Sequence, residues 1–200
     1  MIDQFAIAKP LIQQLHIQFM KTDTRPRRII GLTGFMGSGK STVARLLARQ
    51  IGWQYVDLDK LISDATGATI PEIFAKLGEP AFRRIEHDQL EKTIGEALAL
   101  QKPRIISLGG GTTAQPDNVT LLRESGAALV WLHCPVEELL SRCAHITNRP
   151  LFRDEASFRQ LYQERLPFYE RADFRVETNI EPLRVVEQIL ALGIFPKVTA

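Results

Sequence analysis

The sequence contains few of the residues that build disulfide frameworks or metal clusters. Cys134 and Cys143 are its only cysteines and do not form a C-x-x-C pair. Its four histidines are scattered without the spacing of metal ligands. This pattern is typical of a cytoplasmic protein with two reduced thiols, rather than of a secreted disulfide scaffold or a zinc module.

Long apolar runs and a strong charge of one sign are also missing. No run approaches the roughly 20 apolar residues of a membrane-spanning helix, and the formal net charge is only +2. We therefore expect neither a membrane nor a nucleic acid as a partner. The 200 residues, of which 44% are hydrophobic, are enough for one α/β domain with a full core.

Residues 1–26 precede the first predicted strand. The stretch 11–20 has the pattern of an amphipathic helix after Pro10, without the basic region and cleavage site of a secretory signal. We predict an extension that packs on the body or is partly disordered, with a partner-binding helix as the alternative.

The clearest functional motif is G-x-x-x-x-G-K-[ST] at residues 34–41, the phosphate-binding loop of P-loop NTPases. Its glycines let backbone N–H groups approach phosphate oxygens, and Lys40 adds a positive charge at the β- and γ-phosphates. The Ser41 hydroxyl is a candidate Mg²⁺ ligand. A strand-like run precedes the loop and a helical pattern follows it, so the positive end of the helix would point at the anion. The segment therefore predicts a nucleoside triphosphate site.

Strand-like and helical patterns alternate along the chain, which predicts a parallel sheet with helices on both faces. Ligands bind beyond the carboxyl ends of the strands in such sheets. The predicted strands are 28–33, 54–57, 104–108, 127–133 and 174–177. The predicted helices are 40–51, 59–66, 70–77, 80–99, 117–124, 135–144, 155–170 and 181–191.

Two aspartates, Asp57 and Asp59, lie at the end of the second predicted strand. An extended chain would put both carboxylates on the same side. One would then orient Mg²⁺ and the other a substrate hydroxyl. The alternative for Asp59 is a cap at the N-terminus of the next helix.

Arg83 and Arg84 point about 100° apart on a predicted helix. One of them can bind an anion while the other pairs with a surface acid such as Asp88. The glycine triplet 109–111 follows the third predicted strand and indicates a backbone that approaches a ligand closely.

Two later arginines are further candidates. Arg149 lies in a predicted loop, where an arginine on a mobile lid would bring positive charge to phosphoryl transfer. Arg165 lies late on a helix, and its spacing leaves open whether it reaches inward or pairs with an acid such as Glu164.

Taken together, these residues resemble shikimate kinases. The shared marks are the phosphate-binding loop, D-x-D after the second strand, F-R-x-x-E, the G-G-G triplet, R-P-L and R-x-P-x-Y, in the family's order over about residues 28–190. The resemblance implies a P-loop kinase fold, a three-layer α/β/α sandwich with a five-stranded parallel sheet of order 2-3-1-4-5. It also implies one kinase domain at 27–200, with a lid around 144–156, in a monomer.

The resemblance further implies that ATP, with Mg²⁺, phosphorylates the 3-hydroxyl of shikimate. Carried over by position, the catalytic residues are Lys40, Asp59 and Arg149. The ATP-binding residues are Gly37, Ser38, Gly39, Lys40, Ser41, Thr42, Arg142 and Arg149, with Arg142 beside adenine. The shikimate-binding residues are Asp59, Arg83, Gly109, Gly110, Gly111 and Arg165. The Mg²⁺ ligands are Ser41 and, through water, Asp57.

One departure from the family pattern concerns adenine. Many members carry an arginine after the last strand, whereas residues 177–182 contain none. Two other interpretations stay open: another small-molecule P-loop kinase, such as one that acts on gluconate, and a catalytically silent ATP-binding homologue.

Overall fold

The computed structural model describes residues 27–144 and 154–196. The extension 1–26 and most of the predicted lid, including Arg149, lie outside the described residues. The strands are β1 (Ile29–Thr33), β2 (Gln54–Asp57), β3 (Arg104–Ser107), β4 (Ala128–His133) and β5 (Phe174–Glu177). The helices are α1 (Lys40–Ile51), α2 (Leu58–Thr66), α3 (Ile70–Ala99), α4 (Pro116–Glu124), α5 (Val136–Cys143), α6 (Glu155–Tyr169) and α7 (Pro182–Leu190), with a 3-10 helix at Thr112–Ala114.

The five strands form one parallel sheet in the order β2-β3-β1-β4-β5. This confirms the predicted fold class and strand order. Because β1 lies in the centre, the loop that follows it opens at the middle of the carboxyl edge. The ends of β2 and β3 lie on one side of that loop, and the ends of β4 and β5 lie on the other.

Alternating side chains of the strands supply two separate cores, one on each face of the sheet. Leu32 and Val130 belong to the core under α1 and α7. Leu129 and Trp131, on the opposite face of β4, pack with the remaining helices. The result is the expected three-layer sandwich.

The longest helical segment, α3, contains a kink at Gly78, where φ is 77° and ψ is 169°. The backbone there leaves the helical region, and Pro80 then starts a new helical run. The prediction of two helices, 70–77 and 80–99, matches this kink. Within the described ranges, no helix combines the length and the apolar character needed to cross a bilayer.

Candidate active site

The phosphate-binding loop has the backbone geometry that its glycines permit. Gly37 and Gly39 take positive φ values of 79° and 88°, and Gly39 immediately precedes α1. A glycine offers no side chain to cap the helix, so the N–H groups of the first turn are left for an anion. Lys40 Nζ lies over the loop and donates to the carbonyl oxygens of Gly34, at 2.8 Å, and Phe35, at 2.9 Å.

The loop is supported from below by α5. A Cβ atom on Gly37 would lie 2.8 Å from Cys143 Sγ, closer than real side chains approach. Cys143 itself is buried. Any side chain at position 37 would therefore push the loop away from the helix.

A group of oxygen atoms lies between the start of α1 and the end of β2. Ser41 Oγ donates to Asp57 Oδ2 at 2.9 Å and is 3.3 Å from Ser107 Oγ. The hydroxyl of Tyr55 also donates to Asp57 Oδ2, at 2.9 Å. Burial and the neighbouring carboxylate of Asp57 raise the pKa of Tyr55, so this hydroxyl keeps its proton.

Asp57 is also the N-cap of α2, since its Oδ1 accepts from the backbone N–H of Lys60 at 3.2 Å. The alternative that made Asp59 the cap of this helix is wrong, because α2 begins at Leu58 rather than after Asp59. Asp59 instead lies in the first turn and faces the glycine triplet.

The glycine triplet is closely surrounded by polar side chains. A Cβ atom on Gly109 would lie 2.9 Å from both Asp59 Oδ1 and Glu86 Oε1, and 3.0 Å from Thr112 Oγ1. A Cβ atom on Gly111 would lie 2.5 Å from Arg83 Nη2 and 2.7 Å from Arg165 Nη1. Two guanidinium groups and two carboxylates therefore meet at this short segment.

Arg83 is held by two carboxylates. Glu79 Oε1 accepts from its Nε and Nη2, at 3.1 and 2.9 Å, and Glu86 Oε2 accepts from its Nη1 at 2.8 Å. Burial opposes the charge of Arg83, but Glu86 and Glu79 outweigh it and raise the pKa of the guanidinium. Of the neighbouring arginines, Arg83 is thus the one that faces the site, and Arg84 is exposed to solvent.

Tyr169 fixes the same segment from the side of α6. Its hydroxyl donates to the carbonyl oxygen of Gly110 at 2.6 Å. The side chain is fully buried, and this burial raises the pKa of the phenol. The segment therefore has a defined position before any ligand binds.

Arg142, at the end of α5, joins the phosphate-binding loop to the segment after β5. Its Nη2 donates to Thr178 O at 2.9 Å, its Nη1 approaches Gly37 O at 3.4 Å, and its Nε donates to Glu138 at 2.9 Å. The guanidinium therefore lies near the segment in which the family arginine is absent.

Both groups of residues line one cavity of about 430 Å³. On one side lie the phosphate-binding loop and Asp57, and on the other lie Asp59, Arg83, the glycine triplet and Arg165. Ser38, which the resemblance assigned to ATP, is a buried residue of the loop. An apolar wall completes the second side, formed by Ile70, Phe74, Phe82 and Leu161.

Sequence reasoning assigned no role to several residues of this cavity. Glu86 is the acid of the F-R-x-x-E mark and lies three positions after Arg83. This spacing favours contact on a helix, so its contact with Arg83 could have been predicted. Tyr55 lies two positions before Asp57 on the same strand, a spacing that puts both side chains on one face, so its contact also had a local signal. Ser107 gave no such signal, because it contacts Ser41, which is distant along the chain.

Comparisons with known proteins identify the family of this chain. The family model described as shikimate kinase matches residues 36–192. A shikimate kinase of Synechococcus elongatus is 39% identical over 164 residues, which cover 80% of this chain and 83% of that relative. One of Geobacter metallireducens is 41% identical over 155 residues, covering 76% and 83% of the two chains. The solved structure of a shikimate kinase from Acinetobacter baumannii, in complex with shikimate, superposes with a TM-score of 0.76 at 36% identity, covering 85% of this chain and 93% of the other.

Proposed function

The chain belongs to the shikimate kinase family, and we propose that it transfers the γ-phosphoryl group of ATP to the 3-hydroxyl of shikimate through the residues assigned below. The observation that supports these roles is the composition of the cavity. A phosphate-binding loop forms one side of it, and a pair of arginines beside a carboxylate forms the other. The first side suits a nucleotide, and the second suits a hydroxylated carboxylic acid.

On the donor side, backbone N–H groups from Gly37 to Thr42 bind the phosphates of ATP. Lys40 has two loop carbonyls within 2.9 Å, and we assign it to the β- and γ-phosphates once nucleotide is bound. We assign Arg142 to the adenine and Arg149, in the predicted lid, to the phosphates.

Mg²⁺ fits the oxygen group at the end of β2. Hydroxyl and carboxylate oxygens are the ligands that this ion prefers. Ser41 Oγ lies 2.9 Å from Asp57 Oδ2 and 3.3 Å from Ser107 Oγ. Ser41 would ligate the ion directly and Asp57 through water. When bound, the ion neutralises charge that develops on the phosphates.

On the acceptor side, the hydrogen bonds of Arg83 determine what it can still bind. A guanidinium has five N–H donors, and Glu79 and Glu86 accept three of them. One N–H remains on each Nη atom, beside Gly111 and Arg165. We assign this pair, together with Arg165, to the carboxylate of shikimate.

Asp59 and the glycine triplet hold the ring hydroxyls. We assign Asp59 to orient the 3-hydroxyl and to accept its proton as the oxygen bonds to the γ-phosphorus. The bond from that phosphorus to the bridging oxygen of ADP breaks in the same transfer. The apolar wall covers the ring and excludes water, which would otherwise consume ATP.

A coupled ADP-release assay with ATP, Mg²⁺ and shikimate tests the activity. We expect turnover that depends on shikimate, with an omission of shikimate as the control. Turnover of gluconate without turnover of shikimate would overturn the proposal, and so would ATP binding without any shikimate-dependent release of ADP. Light scattering on the full chain tests the monomer that we propose, and fractionation of cells tests its cytoplasmic location.

A further inference from the structure

Behind Arg83 lies a buried polar chain that sequence reasoning did not assign. It starts at Glu86, continues through Thr112 and Asn118, and ends at His87. Glu86, Thr112 and Asn118 each have 0% of their surface exposed. Because buried polar groups are costly unless they are paired, a chain of this kind fixes the positions of its members.

The centre of the chain is the carboxylate of Glu86, which has one partner on each oxygen. Oε2 accepts from Arg83 Nη1 at 2.8 Å, and Oε1 accepts from the hydroxyl of Thr112 at 2.6 Å. Arg83 alone would leave Oε1 without a donor in a fully buried place. The Thr112 hydroxyl therefore decides where the carboxylate lies, and through it where Arg83 lies.

Thr112 is itself held on its backbone. Its carbonyl oxygen accepts from Asn118 Nδ2 at 3.2 Å, and its N–H donates to Gly109 O at 3.1 Å. The amide oxygen of Asn118 lies 2.8 Å from His87 Nδ1. The chain thus returns to α3, one residue after Glu86.

Thr112 also follows directly after Gly111, the residue on which Arg83 and Arg165 converge. One residue thereby fixes both the guanidinium of Arg83 and the backbone beside it. We infer that Thr112, supported by Asn118, is a positioning residue that sets the affinity of the acceptor site for the carboxylate of its substrate. This inference rests on the proposed function, in which Arg83 binds that carboxylate.

The substitution Thr112→Val tests this inference because it keeps the shape of the side chain and removes the donor. We expect the KM for shikimate to rise about tenfold, as for the loss of a hydrogen bond to a buried charged group. The KM for ATP and kcat at saturating shikimate should stay within about twofold, since neither depends on the carboxylate. Thr112→Ser, which restores the hydroxyl, should restore the KM.

Thr113→Val is the matched control. Thr113 is the adjacent residue, is 3% exposed, and pairs its hydroxyl with Thr33 Oγ1 at 3.1 Å rather than with Glu86. It should lose a similar amount of stability and leave the KM for shikimate unchanged. If Thr112→Val does not fold, Thr112→Ala removes the same donor and serves in its place.

The variant Arg83→Met tests the proposed function of Arg83 separately from the positioning role of Thr112. If Arg83→Met leaves shikimate binding unchanged, the acceptor site of the proposed function is wrong. If Arg83→Met weakens binding but Thr112→Val does not, only the inference is wrong. If the inference is right, adding Thr112→Val to Arg83→Met costs less than about twofold, because the two act through one contact.

Discussion

Ser41 and Asp57 are hydrogen-bonded to each other across the start of α1 and the end of β2, with Oγ donating to Oδ2 at 2.9 Å. Both residues are proposed to serve the same Mg²⁺. The hydrogen bond holds the hydroxyl of Ser41 next to the carboxylate of Asp57. Tyr55 donates to the same oxygen at 2.9 Å and gives Asp57 a second hydrogen bond that does not depend on Ser41.

Asp57→Asn should weaken Mg²⁺ binding to the enzyme–ATP complex. The amide keeps the size of the side chain but loses the negative charge that orients the metal-bound water, a change that commonly costs about 10- to 100-fold in metal affinity. Calorimetric titration of Mg²⁺ measures it. Asp64→Asn is the control, because Asp64 lies on the helix that Asp57 caps but pairs with Lys60 at the surface. Equal affinity in Asp57→Asn and the wild type would remove Asp57 from the metal site.

Arg83→Ala should raise the KM for shikimate by about 10- to 100-fold, because it removes a charged hydrogen-bond donor from the carboxylate. The KM for ATP should not change. Arg84→Ala provides a control one residue away, since Arg84 points to solvent. Steady-state kinetics, with shikimate and ATP varied separately, measure each KM in both variants. A similar rise of the KM for shikimate in Arg83→Ala and Arg84→Ala would contradict the assignment of Arg83 to the carboxylate.

Gly111→Ala should weaken shikimate binding about tenfold while the protein still folds. The backbone at Gly111, with φ −111° and ψ −1°, suits any residue. The new Cβ atom would instead displace Arg83 and Arg165, which lie 2.5 and 2.7 Å from its position. Gly95→Ala, in α3 with open space around it, should leave binding unchanged. Unchanged affinity in Gly111→Ala would show that the two arginines do not need this close approach.

Tyr169→Phe should lower the free energy of unfolding by about 1 kcal/mol at neutral pH, through loss of the hydrogen bond to Gly110. The difference in the free energy of unfolding between the wild type and Tyr169→Phe should become smaller at alkaline pH. Because burial raises the pKa of Tyr169 above its ordinary value of 10.0, the phenol keeps its proton in the folded state and loses it in the unfolded state. This contribution is complete below pH 10.0 and declines as the pH rises further. Urea denaturation across this range measures it, and a constant gap would contradict the argument.

The fold followed closely from the sequence because its apolar pattern repeats with helix and strand periods. The predicted strand 104–108 differs from β3 by one residue, and the two-helix prediction around Gly78 matches the kink in α3. The 3-10 helix at Thr112–Ala114 was not predicted, since three residues carry no periodic signal.

The site was harder to predict wherever it depends on contacts between distant residues. Spacing could not choose between Arg83 and Arg84, because the choice depends on Gly111 and on how deeply Glu86 is buried. The contact between Glu86 and Thr112 joins residues 26 positions apart and leaves no trace in either local pattern. Asp57 caps α2, whereas the alternative from the sequence placed the cap at Asp59. Helix boundaries are the part of a helix that a sequence pattern locates least precisely.

Because Gly37 packs closely against Cys143, the reactivity of this thiol reports on the phosphate-binding loop. The Cys143 thiol is 1% exposed beneath the phosphate-binding loop, so we expect a thiol reagent to reach it only when the packing around it opens. In a Cys134→Ser variant, the rate of Cys143 alkylation should therefore report how often the packing around Cys143 opens. A nucleotide that makes the loop more rigid should lower the rate of Cys143 alkylation. Nucleotide binding can then be measured without any phosphoryl transfer.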